Sequence, residues 1–537
     1  MRARRILAAA ALGAPLAIAA LVRFPLAGEI AVGQPQWFWR AELFWSALER
    51  FEPSGTLLAP HPGLTVLWIA GAAQKLASAE TKLEQAVASS WGVATVNLLI
   101  LAIALWTLLH ILESEDRDGP AQSVLAIGLM LALDPILIPM TGLVGLDGLL
   151  SLLVLAALLS IYSGLKVPSR GRWIGTAALA GLATATKGAA LLLLPAPYLA
   201  AAQQPALGRT RWRRASVLTV AMVIGSALVV FALLPAAWVD APRVANRLLL
   251  GDAGTRESLL GVLRKPRVES LLPYPDAPGI LAYLVHLLFR STPLALAGTV
   301  IGFASRSFRR DPLVRYLGIF GIGYVAVLGI VPQKEWRYVL PAIVLMDVVG
   351  ALGLVHLSSA IRETSPRARR AWLAPAAIVL QGLWVVAAAP YYEFRMNPIL
   401  GGLPAASRWI PIGWGAGLER AQEFLNSEAA RRGRILTWSG GYGFSGYRDR
   451  KGLEFEGSGT RWLGQRARPG EADCYVSYAR TPAEHRAPLE RQWEEIGELS
   501  YELRIDGVPI TRVWCRDEPL SSERIEDRET PDQGGIP

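Results

Sequence analysis

Long apolar runs separated by short polar segments dominate residues 1–390 of the chain. A helix needs roughly 20 mostly apolar residues to cross the core of a lipid bilayer. Runs of about this length occur at residues 6–24, 86–111, 121–139, 142–165, 215–238, 280–303, 316–332, 338–358 and 373–390. A longer run at 173–202 is interrupted at Lys187 and Gly188, which favours two shorter helices that form a hairpin. The pattern therefore predicts a mainly α-helical, polytopic membrane bundle of about 11 spans.

The composition agrees with a membrane protein. Of the 537 residues, 52% are hydrophobic and 18% are charged, and the mean hydropathy is +0.33. Soluble domains carry about 25% charged residues on average. The net charge of +10 comes from arginines gathered between the apolar runs. That distribution is typical of cytoplasmic membrane loops and argues against nucleic acid as a partner.

Basic clusters indicate which loops face the cytoplasm. They are Arg2/Arg4/Arg5, Lys166/Arg170/Arg172, Arg209/Arg211/Arg213/Arg214, Arg306/Arg309/Arg310/Arg315 and Arg362/Arg367/Arg369/Arg370. With a cytoplasmic N-terminus and an odd number of spans, all of them fall inside, as the positive-inside rule expects. The acidic segment 113–119 also falls inside, but acidic residues have little influence on orientation. Because many spans follow the first run, a signal anchor is favoured over a cleaved signal peptide, and we expect a multi-pass plasma (inner) membrane protein.

This orientation places three segments outside the membrane: loops at 27–85 and 239–279, and everything after about residue 391. The last segment changes character, with an amphipathic helix candidate at 417–430 and many glycines. Its strand candidates are 434–438, 474–478, 501–505 and 510–515. We therefore predict a small extracytoplasmic α/β domain over 391–516, followed by a polar, disordered tail at 517–537.

Only two cysteines are present, Cys474 and Cys515, and both lie in strand candidates. They exclude a multi-cysteine metal motif, and whether they form a disulfide stays open because the sequence does not place them together. The sequence has no dense His/Asp cluster, so no cofactor is firmly predicted. A divalent cation stays open, because Asp147 could join a weak site.

The first outside loop holds several candidate site residues. Residues 34–50 predict an amphipathic helix on the membrane surface, with Arg40 and Glu42 facing water. The aromatic side chains expected in the membrane interface are Trp37, Phe38, Phe44 and Trp45. Further on, Pro60 and Pro62 hold His61 in an extended turn, where it is either a structural hydrogen-bonding group or part of a site.

Charged residues also interrupt apolar runs further along the chain. Asp147 lies near the outer end of a predicted span, and Lys187 divides the predicted hairpin. Charges at membrane depth are costly, so each either forms a structural ion pair or lines a functional cavity. Lys334, Glu335 and Arg337 form a polar turn that is either an ordinary loop or a phosphate-binding group, because Lys and Arg suit phosphate oxygens.

Six motifs follow one another in a recognisable order. They are "QPQWFWRA", "HPGLTVLW", "GLDGLL", "ATKGAALLLLP", "QKEWRYVLP" and "YYEFRMNPILGG…PIGWGAGLERA". Together they resemble the membrane-embedded GT-C glycosyltransferases of the protein mannosyltransferase and aminoarabinose transferase type, also called glycosyltransferase family 39-like. The resemblance extends from residue 25 to about residue 425.

The resemblance implies a reaction and a set of roles. Such enzymes transfer a sugar from a polyprenyl-phosphate carrier to an acceptor outside the membrane, with inversion in one displacement. A first-loop carboxylate activates the acceptor, and cationic side chains stabilise the departing phosphate. By motif position, the residues facing the lipid phosphate are Lys187, Lys334, Arg337 and Tyr338. Asp147 would orient the site or bind a cation, and His61 and Arg40 would line the first-loop cavity.

The chain departs from the family where an acidic pair is expected, because Gly33 and Gln34 occupy those positions. A glutamine can orient a group by hydrogen bonding but cannot act as a general base at neutral pH. One alternative is that Glu29 or Glu42 takes the role. Another is that the acceptor needs no strong base, or that Asp147 supplies one. The third is a catalytically weakened protein that binds a glycolipid.

The sequence thus favours a polyprenyl-phosphate-sugar-dependent glycosyltransferase. The alternatives are a glycolipid-binding partner of an envelope-glycan complex and a polyprenyl-glycan transporter. Transporters often show internal repeats, and none is found here. The expected partners are the lipid-linked sugar donor, membrane lipid and an acceptor whose identity the sequence does not give.

Overall fold

The computed structural model describes residues 2–29, 35–58, 63–117, 119–250, 279–331, 335–364, 373–432, 435–438, 460–462, 472–479 and 483–517. The chain divides into two compact units, Met1–Ile410 and Pro411–Pro537. This division lies later in the chain than the predicted domain boundary at residue 390. The first unit is helical, and the second combines helices with a small sheet.

The helices of the first unit are, in chain order, α1 (Arg2–Arg23), α2 (Leu26–Glu29), α3 (Pro35–Glu49), α4 (Leu64–Leu76), α5 (Lys82–Ser114), α6 (Pro120–Ala132), α7 (Leu137–Gly142), α8 (Leu146–Lys166), α9 (Arg170–Thr186), α10 (Ala196–Ala202), α11 (Thr210–Leu233), α12 (Ala236–Val239), α13 (Ala241–Leu250), α14 (Gly279–Arg290), α15 (Pro293–Ala304), α16 (Arg306–Arg310), α17 (Pro312–Ile330), α18 (Leu340–Thr364), α19 (Leu373–Val386) and α20 (Gly402–Trp409). Short 3-10 helices lie at Pro53–Thr56, Gly188–Leu193, Pro205–Leu207, Trp336–Val339, Tyr392–Phe394 and Pro398–Leu400.

Many of these helices are suited to a lipid bilayer. Within the described part of the chain, six helices are long and apolar enough to cross the bilayer, and the number is seven if a bent pair of helices counts as one span. Shorter apolar helices lie at Leu64–Leu76, Pro120–Ala132, Gly188–Ala202 and Ala376–Val386. The prediction of a mainly α-helical, polytopic membrane bundle is therefore confirmed.

The run at 280–303 is not one straight helix as the hydropathy pattern predicted. It forms α14 and α15, which bend by 111° at a short break. Thr292 caps the second helix by accepting a hydrogen bond from the backbone N–H of Ala295 at 3.2 Å. Pro293 begins the new helix, because its ring cannot donate the hydrogen bond that continuation of the first helix requires.

Helix α8 lies at the centre of the bundle. It is apolar on all sides, which is typical of a helix surrounded by other helices. Its neighbours include α5, α9 and α18. Elsewhere, α15 and α18 approach closely through glycines: a Cβ atom at Gly353 would lie 2.0 Å from the carbonyl oxygen of Gly298. Small residues allow such close backbone contact between membrane helices.

The predicted first-loop helix exists as α3, but the interface position predicted for Trp37, Phe38 and Phe44 is wrong. Trp37, Phe38 and Phe44 are buried inside the protein. Glycines on the neighbouring segment make room for the rings: a Cβ atom at Gly63 would lie 2.3 Å from the Trp37 ring, and one at Gly71 would lie 1.9 Å from the half-buried ring of Trp45. Helix α3 thus packs three of its aromatic rings into the protein core, while Trp39 stays exposed.

The acidic segment after α5 takes part in an ion cluster. The Nη2 atom of Arg117 lies 2.5 Å from Oε2 of Glu115, and its Nη1 atom lies 2.6 Å from Oδ2 of Asp311, which precedes α17. The Tyr162 hydroxyl donates to Oε1 of Glu115 at 2.9 Å, and Lys166 Nζ lies 3.4 Å from the same oxygen. Three separate loops and helix ends therefore meet at one end of α8.

The second unit is a small α/β domain, as predicted. It contains α21 (Leu418–Arg432), β1 (Ile435–Trp438), β2 (Thr460–Trp462), β3 (Cys474–Tyr478), α22 (Ala483–Glu494), β4 (Glu498–Ile505) and β5 (Val508–Cys515). The described strands form one sheet in the order β2-β1-β3-β5-β4. The β1 strand is parallel to β2 and β3, and β5 is antiparallel to β3 and β4. The four strand predictions correspond to β1, β3, β4 and β5, and β2 was missed.

The cysteines, left open by the sequence, form a disulfide. Cys474 and Cys515 lie opposite each other in the register of β3 and β5, and their sulfur atoms are bonded. Beside them, the buried rings of Tyr475, Trp493 and Trp514 pack together as the core of this unit.

Candidate functional site

Asp147 lies in the first turn of α8, and its side chain is only 3% exposed. A helix N-terminus carries partial positive charge, which favours a carboxylate there. The next residue is Gly148, and a Cβ atom at this position would lie 1.9 Å from the carbonyl oxygen of Met140 in α7. The backbone of α7 therefore lies directly against the residue that follows Asp147.

Lys187 lies where the predicted hairpin breaks. Its extended backbone ends α9 and precedes the 3-10 helix Gly188–Leu193. The Nζ atom donates a hydrogen bond to Oδ1 of Asp147 at 2.6 Å, and the side chain is half-buried. Just before it, the carbonyl oxygen of Thr186 accepts a hydrogen bond from the backbone N–H of Gly63 at 3.1 Å. Gly63 of the first loop is thus bonded to the residue that directly precedes the lysine.

Arg337 and Tyr338 come from the 3-10 helix Trp336–Val339, which leads into α18. Arg337 Nε lies 3.6 Å from Oδ2 of Asp147 and 3.8 Å from Oε2 of Glu335. The Nζ atom of Lys187 lies 4.1 Å from the centre of the Tyr338 ring, a cation–π contact. Four sequence-predicted residues from three distant segments of the chain therefore meet at one end of α8.

Helix α14 supports the same turn. The hydroxyl oxygen of Tyr283 accepts a hydrogen bond from the backbone N–H of Glu335 at 3.2 Å. The guanidinium of Arg290 lies 3.9 Å from the centre of the Trp336 ring. Sequence analysis missed Tyr283 and Arg290. The available signal was the presence of His286 and Arg290 inside an apolar run, which we had interpreted as one plain span.

This arrangement has the chemistry of an anion site with its own counterion. Two cations of different types, Lys187 and Arg337, share the carboxylate of Asp147 in partly buried surroundings, and Arg337 also lies near the carboxylate of Glu335. The carboxylate of Asp147 allows two like charges to remain close together. An Arg fork and a Lys ammonium are the groups that bind phosphate oxygens most often, and partial burial strengthens the attraction.

No family model matches the sequence, and no curated protein matches it. Among solved structures, ArnT from Cupriavidus metallidurans bound to undecaprenyl phosphate is similar, with 14% sequence identity and a TM-score of 0.51. The match covers 93% of this chain and 97% of that chain. This chain has the GT-C glycosyltransferase fold.

Two further GT-C structures are similar at a lower level. ArnT from Cupriavidus metallidurans in the apo state has 14% identity and a TM-score of 0.47, over 90% of this chain and 93% of that chain. AglB, the oligosaccharyltransferase of Archaeoglobus fulgidus, in complex with an inhibitory peptide and a dolichol-phosphate, has 13% identity and a TM-score of 0.47. That match covers 96% of this chain and 75% of the other.

The other site residues that the GT-C resemblance implied lie partly on α2 and α3 and partly outside the described residues. Arg40 and Glu42 lie on α3, and the guanidinium of Arg40 lies 5.1 Å from the Trp37 ring centre. Glu29 ends α2. The candidates outside the described residues are Gly33, Gln34, His61 and Lys334. Within the part of the chain that the structure describes, no group of three or more His, Cys, Asp and Glu side chains is placed to hold a metal ion.

Proposed function

We propose that the protein is a glycosyltransferase that moves a sugar from a polyprenyl-phosphate carrier to an acceptor at the outer face of the membrane. The observation that carries this proposal is the meeting of Lys187, Asp147 and Arg337 at one end of the central helix of a GT-C fold. A protein with the same fold has been crystallised with undecaprenyl phosphate. The acceptor is a protein, a lipid or an envelope glycan.

The site residues divide the chemistry between them. The bond between the anomeric carbon and the phosphate oxygen breaks, and the lipid phosphate leaves with the electron pair. Lys187 and Arg337 stabilise that growing negative charge, with Lys334 and Tyr338 as further groups of the phosphate site. Asp147 keeps both cations in place before the phosphate arrives, because it contacts each of them.

The acceptor forms its new bond from the opposite side of the sugar and loses a proton, so a base is useful there. Helix α3 carries both the carboxylate of Glu42, which we propose as this base, and Arg40, which we propose as a lining residue of a first-loop cavity. Gln34 and His61 are then groups that orient the acceptor by hydrogen bonding. The link from Gly63 to Thr186 supports this assignment, because it fixes the first loop beside Lys187.

We also propose that the first unit crosses the inner membrane with a cytoplasmic N-terminus. One observation supports the crossing, and another supports the side on which the second unit lies. Helix α8 has 21 residues, about 31 Å at 1.5 Å per residue, which matches the thickness of a bilayer core. Asp147 at its start and the cluster of Arg117 at its end therefore lie at opposite membrane faces. The disulfide of the second unit favours an oxidising, extracytoplasmic compartment for residues 411–517.

The experiment incubates purified protein with a radiolabelled polyprenyl-phosphate sugar and crude envelope acceptor, and follows label transfer. We expect transfer by the wild type and its loss in Lys187→Ala, Asp147→Asn and Glu42→Gln. Lys75→Ala is the matched control, because Lys75 forms an exposed ion pair with Glu49 on the protein surface. Equal transfer by Lys187→Ala and Lys75→Ala would contradict the proposal.

A second candidate function is a glycolipid-binding partner of an envelope-glycan complex. The observation that favours it is the pair Gly33 and Gln34 in place of two acidic residues. Binding of the lipid-linked sugar with no transfer to any acceptor would support this function. Movement of the lipid across a vesicle membrane without transfer would instead support a transporter.

A further inference from the structure

Arg23, at the end of α1, is a charged side chain buried inside the membrane unit. It is only 1% exposed. Its Nε atom donates to the Thr141 hydroxyl at 2.6 Å, and its Nη atoms donate to the carbonyl oxygens of Ala132 at 2.9 Å and Leu131 at 3.2 Å. A buried charge at membrane depth is rare and costly, so it usually has a specific task.

The partners of Arg23 lie on both sides of the break between α6 and α7. Leu131 and Ala132 end the first helix, and Thr141 lies in the second. Asp134, which is fully buried, lies in the break itself. Its Oδ1 atom accepts hydrogen bonds from the backbone N–H groups of Ile136 at 3.0 Å and Leu137 at 2.6 Å. Arg23 and Asp134 therefore fix where α7 begins and how it is oriented.

Helix α5 holds the other end of α7. The Nδ2 atom of Asn97 donates to the carbonyl oxygen of Thr141 at 2.9 Å. The hydroxyl of Ser90 accepts a hydrogen bond from the backbone N–H of Val144 at 3.3 Å. Both side chains are buried. Thr141 is therefore the residue at which the contacts from α1 and α5 meet.

Helix α7 packs directly against the start of α8, which carries Asp147 of the candidate site. The Met140 carbonyl lies so close to Gly148 that even one methyl group would overlap it. Gly148 follows Asp147 directly, and the turn between α7 and α8 is only three residues long. A displacement of α7 must therefore move the backbone that carries the Asp147 carboxylate.

We propose that Arg23 is a positioning residue for Asp147, acting through Thr141 and α7 to hold the carboxylate against Lys187. The importance of Arg23 for catalysis rests on the function proposed above, in which Asp147 holds the cations that bind phosphate. The role in positioning itself concerns only the ion pair between Asp147 and Lys187, and it can be tested without any substrate.

The test measures how fast Lys187 reacts with a small amine-directed reagent in the full-length, detergent-solubilised protein, which is then digested so that mass spectrometry quantifies the label on the peptide that contains Lys187. A carboxylate at hydrogen-bond distance retains the ammonium form, which does not react, so loss of the contact speeds labelling. Asp147→Asn calibrates the assay, with an expected increase of about tenfold or more. We expect Thr141→Val to increase the labelling rate roughly threefold, because Arg23 loses its link to α7.

Three controls separate positioning from general loosening. Thr141→Ser keeps the hydroxyl and should restore the wild-type rate. Thr511→Val makes the same exchange in a buried threonine of the second unit, whose hydroxyl donates to the carbonyl oxygen of Gly417, and it should leave the rate unchanged. In an Asp147→Asn background, Thr141→Val should add nothing, because residues that act through one contact are not additive.

Labelling of Thr141→Val at the wild-type rate would overturn the inference, and so would the same increase with and without Asp147. Should Thr141→Val yield little folded protein, Arg23→Lys gives the same comparison, because lysine keeps the charge but lacks the Nε donor. Binding of undecaprenyl phosphate by the wild type is measured in parallel. Its absence would contradict the proposed function while leaving the labelling result to decide the role of Arg23.

Discussion

Gly148→Ala adds one methyl group at the contact between α7 and α8. In the present backbone that methyl carbon would lie 1.9 Å from the carbonyl oxygen of Met140 and 2.5 Å from its carbonyl carbon. Non-bonded carbon and oxygen atoms need at least about 3.2 Å, so the two helices must separate locally by roughly 1.3 Å. Neither partner is the flexible end of a side chain, because the obstacle is the backbone of α7.

A shift of this size is large for a site that depends on short contacts. The hydrogen bond from Lys187 to Asp147 is 2.6 Å long. Opening it by roughly 1.3 Å would exceed hydrogen-bond distance, and preorganised sites tolerate only about 0.5 Å. Misplacement of catalytic groups by about 1 Å can lower a rate by about 100-fold. We therefore expect Gly148→Ala to reduce sugar transfer by about two orders of magnitude.

The assay compares Gly148→Ala with Gly175→Ala, both at glycines of α-helices in the same bundle. A Cβ atom at Gly175 would meet nothing within 4 Å. The control should keep wild-type transfer and gain up to about 1 kcal/mol of stability, because alanine favours helix more than glycine does. Wild-type transfer and wild-type affinity for undecaprenyl phosphate in Gly148→Ala would refute the proposed contact between α7 and the site.

Three further predictions concern stability. Arg117→Leu should lower the free energy of unfolding by about 2–4 kcal/mol in a denaturant titration, because the half-buried carboxylates of Glu115 and Asp311 lose their partner. The control, Arg310→Leu at an exposed arginine, should change the free energy of unfolding by less than about 0.5 kcal/mol. Equal effects of the two substitutions would contradict a stabilising role of the ion cluster. Reduction of the disulfide between Cys474 and Cys515, 41 residues apart in sequence, should cost the second unit about 4 kcal/mol, seen as a lower Tm with dithiothreitol, and an unchanged Tm would count against it. Burial opposes ionisation of Glu502, but hydrogen bonds from Arg504 and Arg512 outweigh this effect and lower the pKa of Glu502 below its ordinary value of 4.5. The ionised Glu502 therefore stabilises the folded protein above pH 4.5, and this stabilisation is lost as the pH falls through the lowered pKa. In Glu502→Gln, a measurement of stability against pH should no longer show this loss.

The candidate site was predictable because charge inside an apolar run is conspicuous. Asp147 and Lys187 each interrupt a run that would otherwise cross the membrane, and such residues seldom lack a task. Arg337 and Tyr338 follow a polar turn at the start of another span. That these residues meet depends on how the helices pack, which the hydrophobic pattern of each segment does not determine. Their assignment to one site came instead from the resemblance to the GT-C enzymes, which rests on the order of the motifs.

Other features depend on contacts between distant segments and were therefore missed. Trp37 and Phe44 fit a membrane-interface pattern equally well whether lipid or protein covers them. What decides their burial is the packing of α3 against α4, where Gly63 and Gly71 leave room for aromatic rings. Arg23 lies within the apolar run 6–24 and drew no prediction, because nothing near it in the sequence indicates Thr141 as its partner.

The two candidate functions differ at the first loop and agree at the phosphate site. Binding a polyprenyl phosphate requires Lys187 and Arg337 in either case. Only transfer requires a group that takes a proton from the acceptor, and an amide such as that of Gln34 cannot accept one, whereas the carboxylate of Glu42 can. If Glu42→Gln abolishes transfer and leaves the affinity for undecaprenyl phosphate unchanged, the carboxylate behaves as a base. If sugar transfer and the affinity for undecaprenyl phosphate both stay unchanged, the base is another residue. Asp147 is then the next candidate, because the sequence analysis named it for this role and its carboxylate contacts both Lys187 and Arg337.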